Sequence, residues 1–430
     1  MLIDLLAECL EDGFFFFNVF WAAGNAYNIL PFLKKRRERS ENGDCPMKTS
    51  EKPKISILLP AYKEEKVIVK NVNRIEKSGY SNLELLLITE DGDFKTGRMA
   101  EYLSRKYGNI KHVTVADDAK PKGKPRALNK GLAHANGEIV GVIDAEDAID
   151  PGLFDKVAYD FRKYGYDAVQ GGLRLKKTND SWMDRQFAAE YMHWYDGYIR
   201  RISGTKYILP FGGSTNFFRK DVLDELGGWE NGNLTEDYEI AMRMHSKCSK
   251  KRDCGRRYKV GLIDAVTLEE TPKDLKGWMK QRTRWSQGKM HTSISYLKRS
   301  DLTFKERLRI LATGISSFIG TVNLAGISLS AFMYAEGIGM GEAAGLAYLN
   351  LASVGAYCYM QGKAYYKTAK EEDGKHPYLD SVLIGISTPA YWALQWVAEL
   401  RALLREIRKK KEWEKTAHMG TAYENEGSQR

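Results

Sequence analysis

Several common signatures are missing from this 430-residue chain. No GxGxxG follows its first apolar, β-branched run and no GxxxxGK[ST] occurs, which argues against dinucleotide and P-loop sites. Cysteine is scarce. Cys9, Cys45, Cys248, Cys254 and Cys358 are odd in number and irregularly spaced, which excludes a secreted disulfide framework. Cys248 and Cys254 bracket a basic CSKKRDC loop and could pair or share a metal. No His stands at ligand spacing beside them, so reduced thiols are expected. No solenoid period or Gly-X-Y triplet is present. A charged fraction of 28% is that of a folded chain. No zinc-finger, homeodomain or RNA-binding aromatic signature appears, so nucleic acid is not an expected partner.

What is abundant is positive charge. Lys and Arg number 66 against 56 Asp and Glu, a net charge of +10. Basic runs fall at Lys34–Arg37, Lys250–Arg252 and Arg408–Lys411, two of them directly after apolar segments. That placement favours an anionic membrane surface over nucleic acid or a phosphorylated substrate. Mean hydropathy is −0.46, yet the average hides local apolar stretches. Residues 310–335 form a 26-residue run without a charge. As a helix this run would reach about 39 Å, enough to cross a bilayer at a tilt. Residues 343–362 are a second such run, giving a helical hairpin. Residues 381–398 are a third, weakened by Pro389, and residues 14–33 are a fourth, carrying Asn18, Asn25 and Asn28. The alternative is that these stretches are buried core helices. The basic cluster after 14–33 reads as a cytoplasmic anchor end and not as a signal peptide. The expectation is a multi-pass cell-membrane protein with a cytoplasmic catalytic domain.

Between residues 54 and 270 the pattern changes. Short apolar runs at 55–59, 83–89, 113–115 and 139–143 alternate with helical stretches at 65–77, 97–107 and 126–135. This alternation implies a parallel, doubly wound α/β sheet, with ligands beyond the carboxyl ends of its strands. The residues there are chemically coherent: Tyr62 and Glu64 in PAYKE, Glu90, Asp91 and Asp93 in TEDGD, and Asp144, Glu146 and Asp147 in DAED. Three acidic clusters at successive strand ends suit a divalent cation, although any one alone reads as an exposed turn. Lys124 stands in a basic segment, GKPRALN, at a helix start that suits a phosphate. Gly212–Gly213–Ser214 is a turn that permits close backbone approach. Gln281, Arg284 and Trp285 share one face of a helix, where they could hold a diphosphate and stack a sugar.

The order PAYKE, TEDGD, GKPRALN, DAED, FGGS, TED, QRTRW resembles the membrane-bound family 2 glycosyltransferases, over roughly residues 54–297. This is the inverting GT-A group that includes cellulose, hyaluronan and chitin synthases. The resemblance implies a GT-A catalytic domain with a Rossmann-like mixed sheet, over residues 51–270. An N-terminal anchor (1–50), interfacial QxxRW helices (271–305), a transmembrane region (306–407) and a polar tail (408–430) would flank it. It further implies that Tyr62, Glu64 and Asp91 hold the base and ribose of a nucleoside-diphosphate sugar, with Lys124 nearby. Asp144 and Glu146 would bind Mg2+ or Mn2+, with Asp147 an alternative ligand. Gly213 and Ser214 would face the acceptor, and Asp237, beside Glu236, would be the general base. Gln281 and Arg284 would meet the diphosphate, and Trp285 the acceptor sugar. DAED departs from the usual DxD by a glutamate, which keeps the charge and adds a methylene. A polysaccharide is the implied acceptor, with a polyprenyl phosphate or other lipid as the alternative, and partner subunits are compatible with both. A non-catalytic scaffold is a third reading, disfavoured by the intact TED and QRTRW.

Overall fold

The computed structural model describes residues 2–33, 52–116, 121–177, 179–205, 207–246, 258–337, 344–371 and 376–410. Cys45, the Cys248–Cys254 loop and the basic runs at 34–37 and 250–252 lie outside the described residues.

The first four strands follow the sequence pattern closely. They are β1 (Ile55–Ala61), β2 (Leu83–Glu90), β3 (Ile110–Val115) and β4 (Ile139–Val142). β1, β2 and β4 are buried on both faces, as inner parallel strands require, while β3 lies at the sheet edge with Lys111 and Thr114 exposed. Ile55, Ile57 and Leu59 enter one core while Leu58 enters the other. Between them lie α2 (Ile68–Lys77), α3 (Phe94–Lys106) and α4 (Lys124–Leu132). Ile68, Val72 and Ile75 repeat at i, i+4 and i+7, so α2 buries a single stripe on the sheet.

The second half continues with α5 (Leu153–Tyr164), β5 (Ala168–Lys176) and α6 (Trp182–Met192). A π-helical segment (His193–Ile199) runs from α6 into a short α7 (Arg200–Ile202). Then come β6 (Asn216–Arg219), α8 (Lys220–Leu226), α9 (Glu236–Ser246) and β7 (Val260–Glu270). The seven strands form one sheet in the order β3-β2-β1-β4-β6-β5-β7. The parallel arrangement expected from the alternation holds for the first four strands, and the sheet as a whole is mixed, as the resemblance implies. β6 is antiparallel to both β4 and β5. The cause is local: the glycine turn at 212–215 delivers the chain to the carboxyl end of β4, so Asn216 pairs with Val142 and the strand must run back. The DAED loop, the metal loop that the resemblance implies, and the glycine turn thereby share one end of the sheet.

The remaining helices are α10 (Leu275–Leu297), α11 (Phe304–Ser316), α12 (Ile319–Ala335), α13 (Ala344–Glu371) and α14 (Pro377–Ile407). With α1 (Leu2–Leu33) they pack beside the sheet domain. The single helix expected over 310–335 is broken. α11 and α12 meet at Ser317–Phe318 and bend by 71°. Among the described residues no single helix is long and apolar enough to cross a membrane, while this bent pair passes by length and composition together. Pro389 sits inside α14 instead of ending it. The polar residues noted in these stretches tie helices together. Trp21 Nε1 donates to Asn323 Oδ1 (2.7 Å), Ser316 Oγ donates to Asn28 Oδ1 (2.7 Å) and Asn350 Nδ2 donates to Asn18 Oδ1 (3.0 Å). Gly326 lies flat under the Trp21 indole, where a Cβ would come within 2.5 Å of the ring.

Candidate active site

A cavity of about 1000 Å³ opens at the carboxyl ends of β1, β2 and β4 and continues between α10 and the helices packed on it. The strand ends supply its acidic wall: Glu64, Glu90, Asp144 and Glu146, joined by Glu269 and Glu270 from the end of β7. The first turn of α9 brings Glu236 and Asp237. The cavity-facing side of α10 brings Gln281, Arg284, Trp285 and Lys289. Trp194, Tyr195 and Tyr198 of the π-helical segment complete an aromatic side, with the Trp194 and Tyr198 rings stacked at 5.0 Å.

Lys124 organises the centre. Its Nζ ion-pairs with Asp144, donates to the Gly213 carbonyl (2.5 Å) and lies 3.9 Å from Glu236. Burial alone would lower the Lys124 pKa, but Asp144 and Glu236 more than offset it and hold the ammonium above the usual lysine range. Gly213 lies against this cluster. A Cβ there would stand 3.6 Å from Lys124 Nζ and 3.8 Å from Asp237 Oδ2.

Asp237 accepts from the Tyr238 N–H at 2.8 Å. Burial raises its pKa, opposed by that hydrogen bond and by Lys124. Burial also pushes Glu236 up to about 7, against the pull of Lys124 and with the push of Asp237. A carboxylate moved toward neutrality is suited to take up a proton. On α10, Arg284 Nη1 reaches the Leu234 carbonyl just before TED at 3.5 Å. Gln281 Oε1 and Arg284 Nε are buried without a hydrogen-bond partner among the described residues, as expected of groups reserved for a ligand.

The donor set fits a hard divalent cation. Asp144 and Glu146 face the cavity, and burial together with the charges of Asp144 and Glu146 pushes Glu269 up to about 8. Burial first, then Glu269, Asp144 and Glu146, hold Asp147 well above the usual carboxylate range. This crowding of negative charge is what a cation relieves. No group of three or more Asp, Glu, His or Cys side chains converges on one point among the described residues. Two carboxylates completed by ligand phosphates are the arrangement such a site would use.

Most of the expected residues meet here: Tyr62, Glu64, Lys124, Asp144, Glu146, Gly213, Glu236, Asp237, Gln281, Arg284 and Trp285 all line the cavity. Three expected residues lie off the cavity wall. Asp91 is exposed and off the cavity wall, because the wall is reached one residue earlier by Glu90, which ion-pairs with Arg126. Ser214 is fully buried and faces no acceptor. Its Oγ donates to Asp147 and accepts from the Asp144 N–H (3.1 Å), stitching the glycine turn to the metal loop. Asp147 is 1% exposed and turned inward, so it props this loop and is no cavity ligand. Glu269 and Glu270 were not singled out in the sequence, although an acidic pair ending an apolar run is the same signal that marked TEDGD and DAED.

Ser214→Ala should therefore behave as a defect of the metal loop. It removes a buried donor to Asp147, and stability should fall by about 1–3 kcal/mol. The midpoint of thermal unfolding measures this. Donor KM should rise with acceptor KM unmoved; the reverse pattern would restore Ser214 to the acceptor side.

The sequence profile described as "Glycosyltransferase like family 2" matches residues 53–288, more than half of the chain. The sheet, the acidic strand ends and the α10 face define a sugar-nucleotide-type GT-A domain, and the chain belongs to glycosyltransferase family 2 as an enzyme of that family. It is 28% identical over 265 residues to the probable glycosyltransferase YdaM of Bacillus subtilis, covering 57% of this chain and 58% of that protein. It is 27% identical over 250 residues to a beta-monoglucosyldiacylglycerol synthase of Synechocystis, covering 57% of this chain and 49% of the relative. A poly-beta-1,6-N-acetyl-D-glucosamine synthase of Staphylococcus epidermidis is 25% identical over 278 residues, with 64% and 63% covered. The chain thus spans 49–63% of the length of these relatives. Among solved structures, the mannosyltransferase PcManGT of Pyrobaculum calidifontis, in complex with GDP-Man and Mn2+, superposes with a TM-score of 0.55 at 16% identity. That match covers 94% of this chain and 99% of the other, and it supports the GT-A fold.

Proposed function

We propose that the protein is an inverting transferase that moves a sugar from a nucleoside-diphosphate sugar to a hydroxyl of a growing β-linked saccharide. The observation that carries this reading is the convergence of Asp237, the Lys124–Asp144 pair and the Gln281–Arg284–Trp285 face on one cavity. The acceptor oxygen attacks the anomeric carbon from the face opposite the leaving group. Asp237 takes the hydroxyl proton as the bond forms. The anomeric C–O bond breaks, and the nucleoside diphosphate departs with the electron pair. Arg284 meets the charge growing on the diphosphate, and the Trp285 indole offers a flat face to the acceptor ring. A divalent cation, Mg2+ or Mn2+, held by Asp144 and Glu146 would supply Lewis-acid neutralisation of the leaving group.

A lipid acceptor is the second reading. It is favoured by the apolar outer faces of the helices beside the cavity, where Phe16, Phe20, Ile386, Trp396, Leu400 and Ile407 are exposed. The same faces support association with a cell membrane from the cytoplasmic side. Nucleoside-diphosphate release from a panel of UDP-hexoses and GDP-mannose tests the transferase reading. Release from one donor with Mg2+ or Mn2+ present is expected; no binding of any donor would defeat it. Product partitioning then separates the acceptors, since a saccharide stays in water and a glycolipid extracts into organic solvent.

A further inference from the structure

The QRTRW motif has one charged residue that the proposed chemistry leaves unused, Arg282. It lines the same cavity as Arg284, is 8% exposed, and joins three helices. Its Nη1 donates to Glu190 Oε1 of α6 at 2.8 Å, and its Nη2 pairs with the other oxygen of the same carboxylate. Nη2 also reaches Tyr391 Oη of α14 at 3.2 Å. Glu190 Oε2 in turn accepts from Tyr391 Oη (2.7 Å) and from Gln395 Nε2 (3.2 Å). The fork is therefore bidentate, and its acceptor is itself held from a third helix.

The guanidinium plane is packed as closely as its edges are bonded. Its central carbon lies 4.5 Å from the Phe187 ring centre, 5.0 Å from Trp285 and 5.6 Å from Trp278. Trp285 also meets Phe187 at 6.1 Å and Tyr191 at 6.4 Å. The indole that faces the cavity on one side thus rests against an arginine whose orientation is fixed by Glu190. A lysine could keep the charge, but neither the planar fork nor the stacking.

The geometry points to Arg282 and Glu190 as a positioning pair that sets the Trp285 platform, and through it the acceptor, against the reacting centre. This rests on the transferase reading above. Water reacting with the donor needs no platform, whereas an acceptor sugar does. A misplaced platform should therefore cost transfer more than it costs hydrolysis, because orientation is what the lost contact supplied. A pair that merely braces the fold would lower both together.

The test compares acceptor transfer with donor hydrolysis, both read as nucleoside-diphosphate release in the full chain, with and without acceptor oligosaccharide. Arg282→Lys and Glu190→Gln should each lower the transfer-to-hydrolysis ratio by about tenfold and raise acceptor KM. Tyr391→Phe removes one hydroxyl without opening a cavity and should shift the ratio the same way by a smaller factor, so the inference stays testable if the first two variants fold poorly. A ratio equal to that of the unaltered protein in all three, with or without a loss of thermal stability, overturns the positioning role. Absence of both activities in the unaltered protein would instead strike the transferase reading.

Discussion

Asp237→Asn should abolish transfer while leaving the donor bound. The amide is isosteric with the carboxylate and can still accept from the Tyr238 N–H, so the first turn of α9 keeps its shape. What it cannot do is take a proton. Removing a general base of this kind costs about 10²–10⁴-fold in rate, and the upper part of that range fits a site in which burial has already tuned the carboxylate upward. Glu236 is the nearest substitute, but it is already 3.9 Å from Lys124, so its charge is engaged by a cation across the turn. Isothermal titration of the donor against the variant, with turnover measured in parallel, checks both halves. A loss of donor affinity as large as the loss of turnover would move Asp237 from proton transfer to donor binding.

Asp144→Ala should produce the second largest effect. It removes a carboxylate from the proposed cation site and the principal ion-pair partner of Lys124 at once. Turnover should fall by about 10²–10³-fold, in line with losing a main electrostatic contribution to the leaving group. The diagnostic is the metal response. The unaltered protein should gain activity as Mg2+ or Mn2+ is titrated in, and the variant should show a flat line. Lys124→Met separates the two losses, since it deletes the ion pair and spares the carboxylate. A variant at position 144 that is still activated by metal would remove this residue from the cation site.

How far the sequence led depends on the length scale of each signal. Strands β1, β2 and β4 were legible because each is a short apolar run buried on both faces, and edge strand β3 because buried Val113 and Val115 flank exposed Thr114. Their acidic ends were legible because a sheet of this kind exposes only those ends to a ligand. β6 was not. Its four residues Asn216–Arg219 carry no period, and their direction is set by where the turn at 212–215 leaves the chain. Ser214 shows the same limit at the scale of one atom. A serine after two glycines looks like a ligand contact, and only the position of Asp147 across the turn reveals that its hydroxyl points inward. Glu90 ends β2 on the cavity wall and Asp91 begins the turn after it, so a single residue decides which of two adjacent carboxylates reaches the cavity. The bend at Ser317–Phe318 was hidden because uniformly apolar composition carries no information about helix direction.

The π-helical segment His193–Ile199 governs how this chain can change over evolutionary time. A π turn holds more residues than an α turn of the same rise. Deleting a single codon inside these seven residues would let the segment rewind as α-helix, re-aiming the side chains within it while the flanking helices keep their register. Tyr195, whose hydroxyl now occupies the space a side chain at Gly212 would need, would leave the glycine turn, and the Trp194–Tyr198 stack would part. Point substitutions here can be conservative, but indels cannot. Descendants of this sequence should therefore vary in letters over 193–199 and stay fixed in length.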